Sequence, residues 1–223
     1  MRLKKWKASL LAAAGAALLA APAMADKAND TLVWITTFEP PTYNYYDQTL
    51  REGTILSRHL WDSLFWRDLE TGEYVPHLAT KIEYAGPKTI DITLREGVTF
   101  HNGEKFDADD VVYTLTMVND PENKLANRNS VRWISRAEKT GEYSVRLHLD
   151  EIFAPAIEYL STSVVIYPNE YYEKVGKDGY GRAPVGTGPY SAAEVVPGKR
   201  LVMKKNLSTK VLMKKKKKLK KKL

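Results

Sequence analysis

The stretch LREGVTFHNGEKFDADDVVYTL, residues 94–115, constrains the fold of this chain more than any other. It sets His101, Glu104, Asp107, Asp109 and Asp110 within ten positions, a density that raises metal binding or catalysis. Local physics offers a simpler reading. Asn102-Gly103 between Thr99-Phe100 and Lys105-Phe106 is a hairpin signal, because Asn-Gly tolerates the positive φ angles of a type I′ turn. Asp107 then stands where a helix would begin, followed by Val111, Val112, Leu115 and Val118 on one face. Its carboxylate can accept from the peptide N–H of Asp109 or Asp110, and the next two acids suit the positive end of the helix dipole. A first turn of this kind contributes roughly 1–2 kcal/mol. A calcium loop needs oxygen ligands at regular intervals around a central glycine, which this spacing lacks. A zinc site needs paired histidines, whereas His59, His77, His101 and His148 are scattered.

Elsewhere the pattern mixes strands and helices. DTLVWITT (30–37) reads as a strand, apolar on both faces, stopped by Pro40 and Pro41. Residues 50–66 carry Leu50, Ile55, Leu56, Leu60 and Leu64 near helical spacing. TGEYVPHLA is a turn with an edge strand, and KTIDITLR alternates as a half-buried strand. Pro121 ends the helix begun at Asp107. VRWISRAEKTGEYSVRLHLD reads as two strands around Thr140-Gly141. APAIEYL is a short helix, SVVIYP a buried strand, and NEYYEKVG a short helix with Asn169 as its N-cap. Two strands flank Pro197-Gly198. The mixture predicts an α/β or α+β fold.

The net charge of +7 over 223 residues suggests an acidic partner until it is resolved by position. Four Lys/Arg fall in residues 1–25 and eleven Lys in 204–223, with no acid in either segment. The body, 26–203, holds 19 basic against 27 acidic residues, a net of −8, which argues against nucleic acid. The first end has the form of a signal peptide: a basic MRLKKWK, an apolar run, and Ala23 and Ala25 as the small residues of a cleavage site. Cleavage is predicted after Ala25. In the second end, eight of the residues from Lys214 to Lys222 are lysine, a density that self-repels. Residues 207–223 read as a disordered tail, either basic and surface-binding or the product of a reading-frame failure near Asn206.

The chain has no cysteine, which excludes disulfides, thiol nucleophiles and thiolate metal sites. No G-x-S-x-G, S-x-x-K or H-E-x-x-H motif is present. VGTGPY (185–190) lacks the G-K-[ST] of a phosphate loop and reads as a backbone crossover between lobes. Thirteen Tyr and five Trp are many for this length, and Tyr43, Tyr45, Tyr46, Trp61, Trp66 and Trp133 lie near predicted loops or helix ends. Aromatic walls of this kind line small-molecule sites.

Four blocks in order carry a resemblance: TLVWITTFEPPTYN, ILSRHLWDSLFWRDLETGEYVPHLAT, ITLREGVTFHNGEKFDADDVVYTL, and PVGTGPY followed by PGKRLVMKKN. Together, from about residue 30 to Asn206, they resemble the family 5 extracellular solute-binding proteins, the peptide-binding components of ABC importers. Leu94 to Val111 follows that family's signature almost position for position.

The resemblance implies a bilobed, type II-like periplasmic-binding fold of cluster C. Of it, residues 26–206 would supply the first lobe, with an inserted subdomain at about 60–180. Family chains are considerably longer, and this one leaves the pattern after Asn206, so the reading is of a C-terminally truncated member. It also implies a periplasmic monomer that binds a peptide or small-molecule ligand and docks on an inner-membrane permease. It implies no catalysis, cofactor or metal. Thr36, Thr37 and Phe38 would line the cleft after the first strand, as would the loop of roughly Asn129 to Trp133, with Trp133 singled out. The family serves peptides, opines, oligosaccharides and nickel complexes, so the ligand stays open. Two rivals stand beside this reading: a secreted hydrolase using His101 with Asp107, Asp109 or Asp110, and a basic-tailed adhesion or nucleic-acid-binding protein.

Overall fold

A computed structural model describes residues 39–207. The strand expected at 30–37, the signal segment and most of the lysine tail lie outside the described residues. The described chain runs α1 (Arg51–Leu60), β1 (Phe65–Arg67), β2 (Tyr74–Pro76), β3 (Ala79–Gly86), β4 (Thr89–Leu94), α2 (Ala108–Asn119), β5 (Ile134–Gly141), β6 (Ser144–Leu149), α3 (Ala156–Thr162), α4 (Asn169–Arg182), β7 (Tyr190–Val196) and β8 (Arg200–Lys205). This is the mixed architecture that the sequence pattern predicts.

The four central strands form one antiparallel sheet, in the order β3-β4-β6-β5. Its two faces follow from alternation. Ile90, Ile92 and Leu94 of β4 and Val145, Leu147 and Leu149 of β6 are all buried, and Val111, Leu115 and Val118 of α2 join the same core. Each such side chain contributes about 1.5–3 kcal/mol by leaving water. On the other face Asp91 sits directly across from Arg146, whose Nε and Nη2 donate to the two carboxylate oxygens at 2.6 and 2.8 Å. The period of two thus sorts core from solvent without help from the rest of the molecule.

A second core is aromatic. Tyr46, Tyr167 and Tyr180 are fully buried, with Tyr172 and Trp61 against them and the Tyr167 and Tyr180 ring centroids 4.3 Å apart. Buried phenols need partners, and each has one. Tyr46 donates to the Val165 carbonyl at 2.6 Å and accepts from the Val165 N–H at 3.0 Å. Tyr167 donates to Asn44 Oδ1 at 3.0 Å, and the Asn44 amide donates to Tyr172 at 3.2 Å. Tyr180 donates to the Val185 carbonyl and accepts from the Trp61 indole N–H at 2.8 Å. Burial pushes the pKa of Tyr46, Tyr167 and Tyr180 well above the ordinary phenol value, so they are neutral hydrogen-bonding groups.

Several local expectations are corrected. The helix predicted over 50–66 ends at Leu60, and Phe65–Arg67 turns into β1, paired with β2. Apolar residues in 61–66 therefore serve strand and core rather than a helix face. The segment 163–168 is buried as expected, but among the described residues it makes one isolated bridge, Ser63 with Val165, and the Tyr46 hydroxyl meets both the N–H and the carbonyl of Val165. Asn169 is the first residue of α4 rather than its cap, and the helix runs on to Arg182 through a break at Gly176, where φ is 68°. The turn at Asn102-Gly103 is also not type I′, since only Gly103 has positive φ, at 91°. The Gly103 N–H donates to the Phe100 carbonyl at 3.0 Å and the Phe100 N–H to the Glu104 carbonyl at 2.8 Å, a three-residue loop closed by a glycine bulge. Strand β3 was not predicted at all, because Lys81, Glu83 and Tyr84 of an edge strand leave little alternation to read.

The segment Gly186-Thr187-Gly188 lies against the C-terminal end of α1. The Gly188 N–H donates to the Leu60 carbonyl at 3.1 Å. A Cβ on Gly188 would stand 2.6 Å from the His59 carbonyl oxygen and 2.5 Å from the Leu60 carbonyl carbon. Neither neighbour is a flexible side chain, so the backbone would have to move. Gly188→Ala is expected to cost about 1–3 kcal/mol in urea denaturation. Gly86→Ala, whose Cβ would meet nothing closer than Thr89 Oγ1 at 3.9 Å, should stay within about 0.5 kcal/mol. Equal costs at the two positions would refute a close-packed strap.

Candidate functional site

The acid and histidine cluster comes apart into four structural roles. Asp107 is the N-cap of α2, its Oδ1 accepting from the Asp109 N–H at 2.9 Å. Asp109 is exposed and paired with Lys139 at 2.6 Å. Asp110 is buried and closes the capping box, its Oδ2 accepting from the Asp107 N–H at 2.9 Å. Its Oδ1 accepts from the Asn169 N–H at 3.0 Å, so one carboxylate joins the start of α2 to the start of α4. Desolvation raises the Asp110 pKa to about 7, with the two backbone donors opposing that rise and the charges of Asp107 and Glu104 adding to it.

His101 faces away from these acids in function. Its Nδ1 accepts from the Gly186 N–H at 3.2 Å, which leaves the proton on Nε2, and Nε2 donates to the Gly188 carbonyl at 3.0 Å. The His101 N–H also donates to the Gly186 carbonyl, at 2.8 Å. Burial holds the imidazole pKa below its ordinary value, only partly offset by the Gly188 carbonyl. Both ring nitrogens are thus committed to fastening the hairpin loop to the 186–188 strap. The glycines of VGTGPY serve close approach of this strap to the end of α1. Among the described residues, no group of three or more His, Asp or Glu could hold a metal.

Of the sequence-predicted ligand residues, Thr36, Thr37 and Phe38 lie outside the described residues. Trp133 is described and is 7% exposed. Its indole N–H donates to the Ser130 carbonyl at 2.9 Å, and its ring stacks on Phe153 at 4.7 Å with Tyr159 edge-on. The loop it ends is rooted in the aromatic core, since the Asn127 N–H donates to the Tyr46 carbonyl at 2.9 Å.

A small hollow of about 10 Å³, partly open to solvent, lies beside the start of this core, lined by Tyr43, Tyr45, Gln48, Leu56 and Trp61 among others. That is below the usual volume of a ligand pocket, about 300–1,000 Å³. Sequence reasoning also missed a part-buried pair, Asp62 Oδ1 with His77 Nε2 at 2.7 Å. The residues are fifteen apart, and no spacing rule brings them together.

Comparison with known proteins follows the same lines. The model of the bacterial extracellular solute-binding proteins, family 5 Middle, matches residues 73–221. The glutathione-binding protein GsiB of Salmonella paratyphi A is 32% identical over 194 residues, covering 83% of this chain and 35% of the relative. Among solved structures, the binding protein AgaA of A. tumefacien R10, in complex with agropinic acid, has a TM-score of 0.68 at 29% identity, covering 75% of this chain and 34% of its own. The oligopeptide-binding protein AppA of Bacillus subtilis, in complex with a nonapeptide, has a TM-score of 0.68 at 26% identity, covering 76% and 35%. The chain therefore spans about a third of the length of the relatives it matches.

Asp110 gives a pH test. Its folded pKa lies above the ordinary 3.8, so the folded state holds this proton more tightly than the unfolded chain. Stability then falls as pH rises from about 4 to about 7 on this account, and acid restores it. Asp110→Asn can keep one N–H partner but turns a donor toward the other, so it lowers stability at pH 5 and removes the Asp110 part of the slope. Denaturant unfolding at pH 5 and pH 8 checks this. The same difference between the two pH values in wild type and variant would exclude Asp110 as its source.

Proposed function

We propose that this chain, which belongs to the bacterial extracellular solute-binding proteins of family 5, acts in the ligand-capturing component of an ABC importer for peptides or related small solutes. The observation that carries the proposal is the family match across residues 73–221, which includes the whole hairpin, capped helix and glycine strap. The relatives support the ligand class. GsiB is a glutathione-binding protein, and AppA was solved with a nonapeptide. In this reading residues 1–25 direct export, cleavage follows Ala25, and the mature protein works outside the cytoplasm as a non-catalytic monomer. Ligand binding biases an open–closed equilibrium, and the closed form engages a membrane permease.

The hydrolase alternative loses its support from the same geometry. A general base must have a nitrogen or oxygen to offer a substrate. His101 has neither ring nitrogen to spare, and Asp107, Asp109 and Asp110 each hold a structural partner.

Thr36, Thr37, Phe38 and Trp133 are the residues proposed to line the ligand site. Calorimetry of the purified protein with glutathione, a dipeptide and a nonapeptide tests the class, and at least one should bind. Truncating Trp133 to Ala would confound binding with about 3–5 kcal/mol of lost packing. Trp133→Phe keeps an aromatic ring against Phe153 and loses the indole N–H and part of the ring area, a smaller packing change than truncation to Ala. It should weaken ligand binding several-fold while lowering the melting temperature less than Trp133→Ala does. Unaltered affinity in Trp133→Phe would remove Trp133 from the site.

A further inference from the structure

Gln48 carries a buried amide of which the fold uses one half. The residue is 5% exposed and lines the hollow beside the aromatic core. Its Oε1 accepts from the Leu50 N–H at 2.8 Å, at the entry to α1. That bond fixes the orientation of the amide, because a peptide N–H requires the oxygen and leaves the nitrogen on the other side. Among the described residues Nε2 has no hydrogen-bond partner. The bond to Leu50 accounts for the oxygen. It does not account for a buried donor left unspent, which is costly in a folded interior.

Gly53 of α1 makes the room for that donor. A Cβ at Gly53 would overlap the Gln48 amide, so Nε2 occupies the space that any other side chain would fill. Gly53 lines the same hollow, which puts Nε2 at its wall. The volume of about 10 Å³ is too small for a whole ligand and matches one water-sized atom. Two other donors of the wall are spent elsewhere. The Tyr43 hydroxyl donates to Glu39 Oε1 at 3.3 Å, and the Trp61 indole N–H donates to the Tyr180 hydroxyl at 2.8 Å and the Val185 carbonyl at 3.0 Å. None of the described residues lining the hollow is charged. A carboxylate there would leave water without a counter-charge, whereas a neutral carbonyl oxygen needs only one donor.

We propose that this hollow is a subsite for one neutral oxygen of the ligand, the carbonyl of a peptide bond, held by Gln48 Nε2 between the Tyr45 and Trp61 walls. The rest of the ligand lies outside the opening. Pro40 and Thr42, two further wall residues, follow closely on Phe38, which is proposed above to line the ligand site. The inference rests on the solute-binding reading and adds to it a residue that the family resemblance does not name.

Calorimetry on the full chain compares L-methionyl-L-leucine and its C-terminal amide in wild type, Gln48→Glu and Gln48→Met at pH 8. Gln48→Glu keeps the acceptor for Leu50 and turns an oxygen toward the hollow, and Gln48→Met removes both polar atoms at similar size. Each variant should weaken both ligands by about three- to tenfold, since both carry the same peptide carbonyl. The melting temperature of each variant reports its fold. In isotope-labelled wild type the Gln48 side-chain amide signals should shift and exchange more slowly with water once the dipeptide is bound, a readout that needs no variant to fold. A loss confined to the free acid would mean that a carboxylate is held, and overturns the carbonyl assignment. Unaltered affinity in a folded variant, or Gln48 signals unmoved in the saturated complex, reduces the hollow to a water site and overturns the proposal while leaving a solute-binding protein. Binding of neither ligand by wild type overturns the peptide-binding reading and the subsite with it.

Discussion

Two backbones packed without a side chain between them organise this fold. At the Leu60–Gly188 contact, the end of α1 and the 186–188 strap approach closely enough that a Cβ on either glycine would collide with main-chain atoms. The contact forces three consequences. It terminates α1 at Leu60, because the Leu60 carbonyl accepts from Gly188 and the chain must turn away. It places Trp61 where its indole reaches Val185 and Tyr180. It also presents the strap's carbonyls and N–H groups to His101, which fastens the signature hairpin to the opposite side.

From that contact the polar interior can be followed as one connected system. Tyr180 leads to Tyr167 and Tyr172, Tyr167 to Asn44, and Tyr46 to the Val165 backbone. Thr114 of α2 accepts from the Tyr167 N–H at 3.0 Å, and Asp110 one turn earlier accepts from Asn169. Every member is satisfied, which is the condition under which a buried polar network rigidifies a fold rather than loosening it. The loop that ends at Trp133 hangs on this network through the Asn127 N–H, which donates to the Tyr46 carbonyl. Trp133, a proposed ligand residue among the described ones, therefore stands on a rigid base.

Legibility in the sequence followed the range of the interaction. The helix from Ala108, its Asp107 cap and its end before Pro121 were readable, because caps and proline act within one turn. So were the alternating strands β4 and β6. The length of α1 was misread because apolar spacing cannot tell a helix face from a turn into a buried strand. The hairpin type was misread because Asn-Gly also suits a three-residue loop in which Gly103 alone takes positive φ. At the candidate site, Trp133 was picked out by family resemblance. The Asp62–His77 pair was not legible, since residues fifteen apart are brought together only by packing.

By itself the sequence determined the capped helix α2, the core and solvent faces of β4 and β6, and the family, because each depends on periodicity, capping or motif order along the chain. Only the tertiary structure decided what the opening cluster does. His101, Asp107, Asp109 and Asp110 are neighbours in sequence, yet their partners are Gly186 and Gly188, the first turn of α2, Lys139, and Asn169. Partners that distant are chosen by packing, and packing turned an apparent catalytic group into three fastenings and a cap.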